Sequence, residues 1–105
     1  MAKYVLGYHG GASPESISDE ERGKIMGAWE AWYGVLGEAI LDGGNPFSQT
    51  RNVAANGEVT VGGANQLTGY TIVNADDIDA AVTLAKGCPI FESGGSVEVA
   101  EAIDM

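Results

Sequence analysis

Leu67-Thr68-Gly69-Tyr70-Thr71-Ile72-Val73-Asn74-Ala75-Asp76-Asp77-Ile78-Asp79-Ala80-Ala81-Val82-Thr83-Leu84-Ala85-Lys86-Gly87-Cys88-Pro89 is the stretch that decides how this chain folds. Gly69 to Val73 reads as a strand, Asn74-Ala75-Asp76 as a polar corner and Asp77 to Lys86 as a helix. Ile78, Ala81, Val82 and Ala85 recur at i, i+3, i+4 and i+7, which is one apolar face of a helix. Asp76 is the expected N-cap, placed to accept a backbone N–H that the first turn leaves unpaired, with Asp79 three residues on. Lys86 suits the last turn, Gly87 suits the C′ position, and Pro89 cannot continue the helix. Strand plus capped helix is half of a β-α-β unit, and the rest of the chain must cover it.

Toward the N-terminus, Lys3 to His9 reads as a strand with Tyr4, Leu6 and Tyr8 on one face and Val5, Gly7 and His9 on the other. Gly10-Gly11 ends it, and Ala12 to Ile17, with Pro14, is a loop. Ser18 and Glu21 have capping-box spacing, and Asp19 and Glu20 favour a helix start. That helix is expected to run to about Leu41 and stop at Gly43-Gly44. Ile25, Trp29, Trp32, Tyr33, Leu36 and Ile40 form its apolar stripe, with Gly23, Gly27 and Gly34 roughly opposite. Thr50 to Ala54 and Glu58 to Gly62 read as strands about Asn56-Gly57, a two-residue hairpin signal whose central positions favour positive φ. Gly62 to Asn65 and Ile90 to Gly95 read as loops, Ser96 to Ala100 as the last strand, and Glu101 to Met105 as a tail. With the Asn-Gly hairpin taken as an insertion, the elements read here are one strand short of a ferredoxin-like β-α-β-β-α-β sandwich, which is the expected fold. Its helices cover one sheet face, and the bare face of so small a chain implies self-association.

A chain of 105 residues fits one domain, residues 1–105. Its 15 acidic and 5 basic residues give a net charge of −10. The scattered cations make no stripe, so nucleic acid and anionic membranes are excluded as partners. The single cysteine rules out an internal disulfide and fits a reducing compartment. No signal-peptide core is completed before Gly7 to Gly11, and no run approaches the ~20 apolar residues of a membrane span, so the expected location is the cytoplasm.

Gly69-Tyr70-Thr71-Ile72-Val73, Asp76-Asp77-Ile78-Asp79-Ala80-Ala81, Gly87-Cys88-Pro89 and Gly95-Ser96-Val97-Glu98-Val99 together resemble the C-terminal half of YCII-related proteins, and Lys3-Tyr4-Val5-Leu6 resembles their first strand. The resemblance implies a dimeric α+β barrel. It does not extend to chemistry. Val59-Thr60-Val61-Gly62-Gly63 stands where one branch of the family has Asp-Gly-Pro-Phe, and the first helix lacks the His that another branch pairs with an Asp.

Chemistry-bearing residues are few. His9, the one histidine, is the candidate acid or base, with Asp42 or Glu98 as its carboxylate partner and Tyr8 beside it; Tyr8 and Glu98 are also expected ligand contacts. Trp29, Trp32 and Tyr33 would bind a flat apolar ligand if they line a cleft, although at helical spacing such residues are more often core. Cys88 follows a helix C-terminus, which disfavours a thiolate. One His and one Cys cannot make a Cys/His zinc set, and Asp76, Asp77 and Asp79 lack the glycine of a calcium loop. No P-loop, dinucleotide fingerprint or Gly-x-Ser-x-Gly elbow occurs, so no cofactor is expected. The reading is a homodimer that binds a small organic molecule, with any catalysis being metal-free acid–base chemistry of lyase or isomerase type at His9. The alternative is a non-catalytic dimeric module that regulates or scaffolds a protein partner. A His9 ring facing a pocket within reach of a carboxylate favours the first reading.

Overall fold

The computed structural model describes residues 2–11, 17–61 and 66–104. The sequence-predicted loops fall partly outside these, at residues 12–16 and 62–65. Four antiparallel strands form the main sheet in the order β2-β5-β1-β6: β1 (Ala2–His9), β2 (Ile40–Asp42), β5 (Leu67–Ala75) and β6 (Ser96–Ala102). Helices α1 (Asp19–Leu36) and α2 (Ile78–Ala85) complete the β-α-β-β-α-β sandwich. The inserted hairpin, β3 (Arg51–Val53) and β4 (Val59–Val61), is a separate two-stranded sheet.

Period-two alternation sorts the strands. Tyr4, Leu6 and Tyr8 of β1 and Thr71, Val73 and Ala75 of β5 are buried beneath the helices. Trp32 and Leu36 of α1, Ala81 and Ala85 of α2, and Cys88 and Ile90 beyond it fill the same layer. The opposite sheet face carries Val5, Tyr70 and Ile72, which are half-buried, and the exposed Leu41 and Leu67. Phe47 stacks on Tyr70 with ring centroids 5.7 Å apart; Val5 and Ile72 stay half-buried.

Several boundaries differ from expectation. The first helix ends at Leu36, five residues early; Gly37, at φ +52°, caps it, and a 3-10 turn at Gly37–Ala39 leads into β2. Ile40–Asp42, predicted as the helix end, is therefore the strand that completes the sandwich. Its residues pair with Val73 and Ile72, so strand pairing overrides helical periodicity there. The cap of α2 is Asp77, not Asp76: its carboxylate accepts from Ala80 N at 2.8 Å. Ser18 caps α1 as read, accepting from Glu21 N at 3.1 Å. Gly87 is not at positive φ; a Cβ there would meet the Trp32 indole at 3.2 Å, so glycine lets that ring pack close. The Asn-Gly hairpin forms, but as a three-residue loop. Gly57 N donates to Ala54 O, and Gly57 alone takes positive φ. Gly23, Gly27 and Gly34 have open space around them, and among the described residues no second backbone approaches that side of α1. The last strand runs on to Ala102, and the loop after Cys88 contains a 3-10 turn at Pro89–Ser93.

Candidate functional site

A cavity of about 350 Å³ opens between α1 and the sheet, within the usual size range of ligand pockets. Tyr8 reaches it from the core face of β1, and Met26, Trp29 and Tyr33 from α1. The segment Gly43 to Pro46 walls it along the edge of β5, where Thr68, Gly69 and Tyr70 complete it. That segment is fixed by backbone. Asp42 Oδ1 accepts from Gly44 N at 2.8 Å, and Phe47 N donates to Thr68 O at 2.9 Å. Gly44 sits at φ +78°, and any Cβ there would overlap the Tyr70 carbonyl.

The aromatic rings are mutually edge-on. Tyr8 and Trp29 lie 5.0 Å apart between centroids, and Trp29 and Tyr33 6.1 Å. Behind them runs a hydroxyl chain. Tyr8 OH donates to Thr71 Oγ1 at 2.6 Å, and Thr71 Oγ1 donates to the Gly43 carbonyl at 3.1 Å. Tyr33 OH donates to the same carbonyl at 3.2 Å and lies 3.2 Å from Thr71 Oγ1. Burial pushes the Tyr8 phenol well above its ordinary value, outweighing the lowering by Thr71, so it stays protonated and holds the chain in one direction. No carboxylate, imidazole, ammonium or guanidinium belongs to the cavity wall among the described residues.

His9 lies on the other face. Its Nε2 is 3.1 Å from Glu98 Oε1, with the imidazole 17% and the carboxylate 71% exposed. Glu98 is thus the carboxylate the structure brings to His9. Asp42 is not: it lies opposite Ile72, which lies opposite Val5, so His9 is two strands away and roughly 13 Å further along the sheet. Asp42 holds the cavity segment instead. Of the expected ligand-contacting residues, Tyr8 and Trp29 line the cavity, whereas Glu98 is on the open sheet face. Trp32 is core, 5% exposed, with Nε1 donating to Leu84 O at 3.1 Å. Cys88 is buried, and burial pushes its thiol up to about 11. Among the described residues no three His, Cys, Asp or Glu gather to hold a metal, and no helix is long and apolar enough to cross a membrane.

Sequence reasoning missed Thr71 and the Gly43 to Pro46 segment. Thr71 had a signal: it is the one hydroxyl in the buried phase of an otherwise apolar strand. The glycine-proline segment had none, since its role depends on lying beside β5.

The profile of the YCII-related domain matches residues 15–105. The chain belongs to the YCII-related domain family. Among solved structures, this YCII-related chain is similar to 5-chloro-2-hydroxyhydroquinone dehydrochlorinase (TftG) from Burkholderia phenoliruptrix AC1100, determined in complex with 2,5-dihydroxybenzoquinone. The identity is 14%, the TM-score is 0.54, and the match covers 96% of this chain and 95% of that one. At that identity the likeness carries the fold alone. Comparison with curated proteins gives no match.

Proposed function

We propose that this YCII-related protein is a homodimer that binds a small, flat, uncharged organic molecule in the cavity between α1 and the sheet. The observation that carries it is the wall itself. Three aromatic rings flank about 350 Å³ of space, anchored from behind by hydroxyls and a backbone carbonyl and free of charged side chains. Ring faces favour a planar partner, and an apolar wall with a few fixed polar groups orients it. A ring bearing hydroxyl or carbonyl groups meets both conditions, and TftG was determined with such a molecule. Self-association through the bare sheet face, with Val5, Tyr70 and Ile72 at its centre, would close the α+β barrel.

A second reading has its own observation. The His9–Glu98 pair at 3.1 Å is an imidazole held by a carboxylate, the arrangement of a general base. Because it faces away from the cavity, a lyase or isomerase step there would act on a substrate held against the sheet face between two copies.

Calorimetric titration and thermal shift with hydroquinone, benzoquinone and simple phenols, which are uncharged at neutral pH, separate these. At a hundredfold excess over Kd, a binder stabilises by about 2.7 kcal/mol. Loss of the shift in Trp29→Ala with retention in His9→Ala places the ligand in the cavity. The reverse pattern favours the sheet-face reading. No shift with any ring compound refutes the proposed ligand class and leaves the protein-partner module.

A further inference from the structure

A carbonyl oxygen has no proton to give, so the Gly43 carbonyl fixes the direction of every hydrogen bond that ends on it. Thr71 Oγ1 lies 3.1 Å from it and Tyr33 OH 3.2 Å, and each donates. A hydroxyl carries one proton. Thr71 has therefore spent its own, and its 2.6 Å bond with Tyr8 OH is made by the Tyr8 proton. Tyr33 OH is also 3.2 Å from Thr71 Oγ1. Whichever of these two acceptors takes the Tyr33 proton, it stays within the protein. Thr68, in the same wall, turns its proton to the carbonyls of Gly10 and Tyr8 at 3.0 and 3.2 Å.

Lone pairs are what these hydroxyls have left, because a hydroxyl that has donated its proton still has acceptor positions. Tyr33 is the phenol placed to use them. It is half-buried where Tyr8 is 5% exposed, and its hydrogen bond joins it to Gly43, another residue of the cavity wall. The Tyr33 oxygen is thus held between two parts of the wall with its proton committed to the protein. Tyr70, the one other phenol of the wall, has its side chain on the opposite sheet face, where the ring stacks on Phe47. The side-chain N–H donors of the wall are the Trp29 indole and the exposed Asn45 amide, and neither belongs to the hydroxyl chain.

We infer that the cavity selects rings that bring a proton of their own: a ligand hydroxyl donates to the Tyr33 oxygen, and a ring whose oxygen only accepts, as an ether or a carbonyl does, is the poorer ligand. Resting on the ring-binding reading above, this narrows the ligand class from oxygenated rings in general to phenols. The physical reason is a difference of one hydrogen bond. To meet a ligand carbonyl, Tyr33 must withdraw its proton from the protein, so one bond is exchanged for another. Gly43 then keeps Thr71 alone. A phenol adds a bond and breaks none. One net hydrogen bond of this kind corresponds to about a fivefold to tenfold difference in Kd.

Calorimetric titration of the full chain with p-cresol, anisole and benzaldehyde tests it. The first two are isomers of matching size; p-cresol carries a hydroxyl proton and anisole none, while benzaldehyde presents a carbonyl. A merely apolar wall would bind anisole the more tightly of the two isomers, because a hydroxyl costs more to strip of water than an ether. Expected instead is p-cresol about fivefold to tenfold tighter than either of the others. Tyr33→Phe should bring p-cresol to within about twofold of anisole and move the anisole Kd less than about twofold, since only the phenol uses that oxygen. Its circular dichroism should stay native, because the Gly43 carbonyl keeps Thr71. Anisole or benzaldehyde binding as tightly as p-cresol to wild type overturns the inference without recourse to the variant, and leaves ring binding standing. A Tyr33→Phe variant that keeps the full preference also overturns it. Failure of all three rings to bind refutes the ring-binding reading and this inference together.

Discussion

Replacing Thr71 by valine removes one hydroxyl and almost no volume. Thr71 is fully buried, and its Oγ1 is the acceptor for Tyr8 OH at 2.6 Å and a donor to the Gly43 carbonyl at 3.1 Å. In Thr71→Val the Tyr8 phenol loses that acceptor, and a buried hydroxyl left unpaired costs about 1–3 kcal/mol. The Gly43 carbonyl keeps Tyr33 OH at 3.2 Å, so its share is small. Valine fills the same space, which leaves no cavity contribution. The expected loss is about 2 kcal/mol, a large part of the stability of a domain this size. Urea unfolding should show a lower midpoint with unchanged slope, and the melting temperature should fall by roughly 8–16 °C. Thr71→Ser keeps the hydroxyl, drops one methyl and should cost less, about 1 kcal/mol. Tyr8→Phe combined with Thr71→Val removes both partners, so the double variant should lose at least about 0.5 kcal/mol less than the sum of the singles. A valine variant within about 0.5 kcal/mol of wild type, or strictly additive singles, would refute the hydroxyl chain as a structural unit. The same variant should weaken ring-compound binding, because Tyr8 and Tyr33 in the cavity wall are held from behind by Thr71.

Trp29→Ala should reduce ring-compound affinity at least tenfold by titration while moving the urea midpoint less than Trp32→Ala, since Trp29 lines the cavity and Trp32 fills the core. Asp77→Ala should destabilise by about 1 kcal/mol and Asp76→Ala by a few tenths, because Asp77 makes the cap to Ala80 N; equal losses in urea unfolding would contradict that assignment. Burial raises the Cys88 thiol from 9.0 to about 11, so its contribution to stability is full below pH 9 and is lost as pH rises from 9 to 11. A pH series of unfolding midpoints should decline over that window and lose its decline between pH 9 and 10 in Cys88→Ala, the raised Tyr8 phenol still lowering stability above pH 10, and iodoacetamide at pH 8 should label Cys88 only in denaturant.

The strand and helix from Leu67 to Pro89 were legible because local physics agrees with the fold at every position. Alternation buries Thr71, Val73 and Ala75, helical spacing buries Ala81 and Ala85, and Pro89 stops the helix. Ser18 and Asn56-Gly57 were legible for the same reason: a cap and a turn are made within a few residues. Ile40–Asp42 was not. Its apolar residues continue the stripe of α1, and only pairing with β5 makes them a strand. Two neighbouring aspartates compete for one cap, so the choice of Asp77 over Asp76 depends on where the sheet releases the chain at Ala75.

The sequence by itself determined the type of every element of the sandwich except Ile40–Asp42, the two-faced sheet and the family, because periodicity, capping and turn chemistry are short-range and additive. It also supplied His9, Tyr8, Trp29 and Glu98 as the side chains worth weighing. Tertiary structure decided which of them meet. Alternation along β1 sends Tyr8 into the cavity and His9 to the opposite face, so neighbours in sequence serve different surfaces. Pairing of β1 with β6 brings Glu98 to His9 and leaves Asp42 on the far side of β5. The cavity itself exists only where α1, β1 and the Gly43 to Pro46 segment converge. No short-range rule specifies that convergence, because it depends on contacts between residues far apart in the chain.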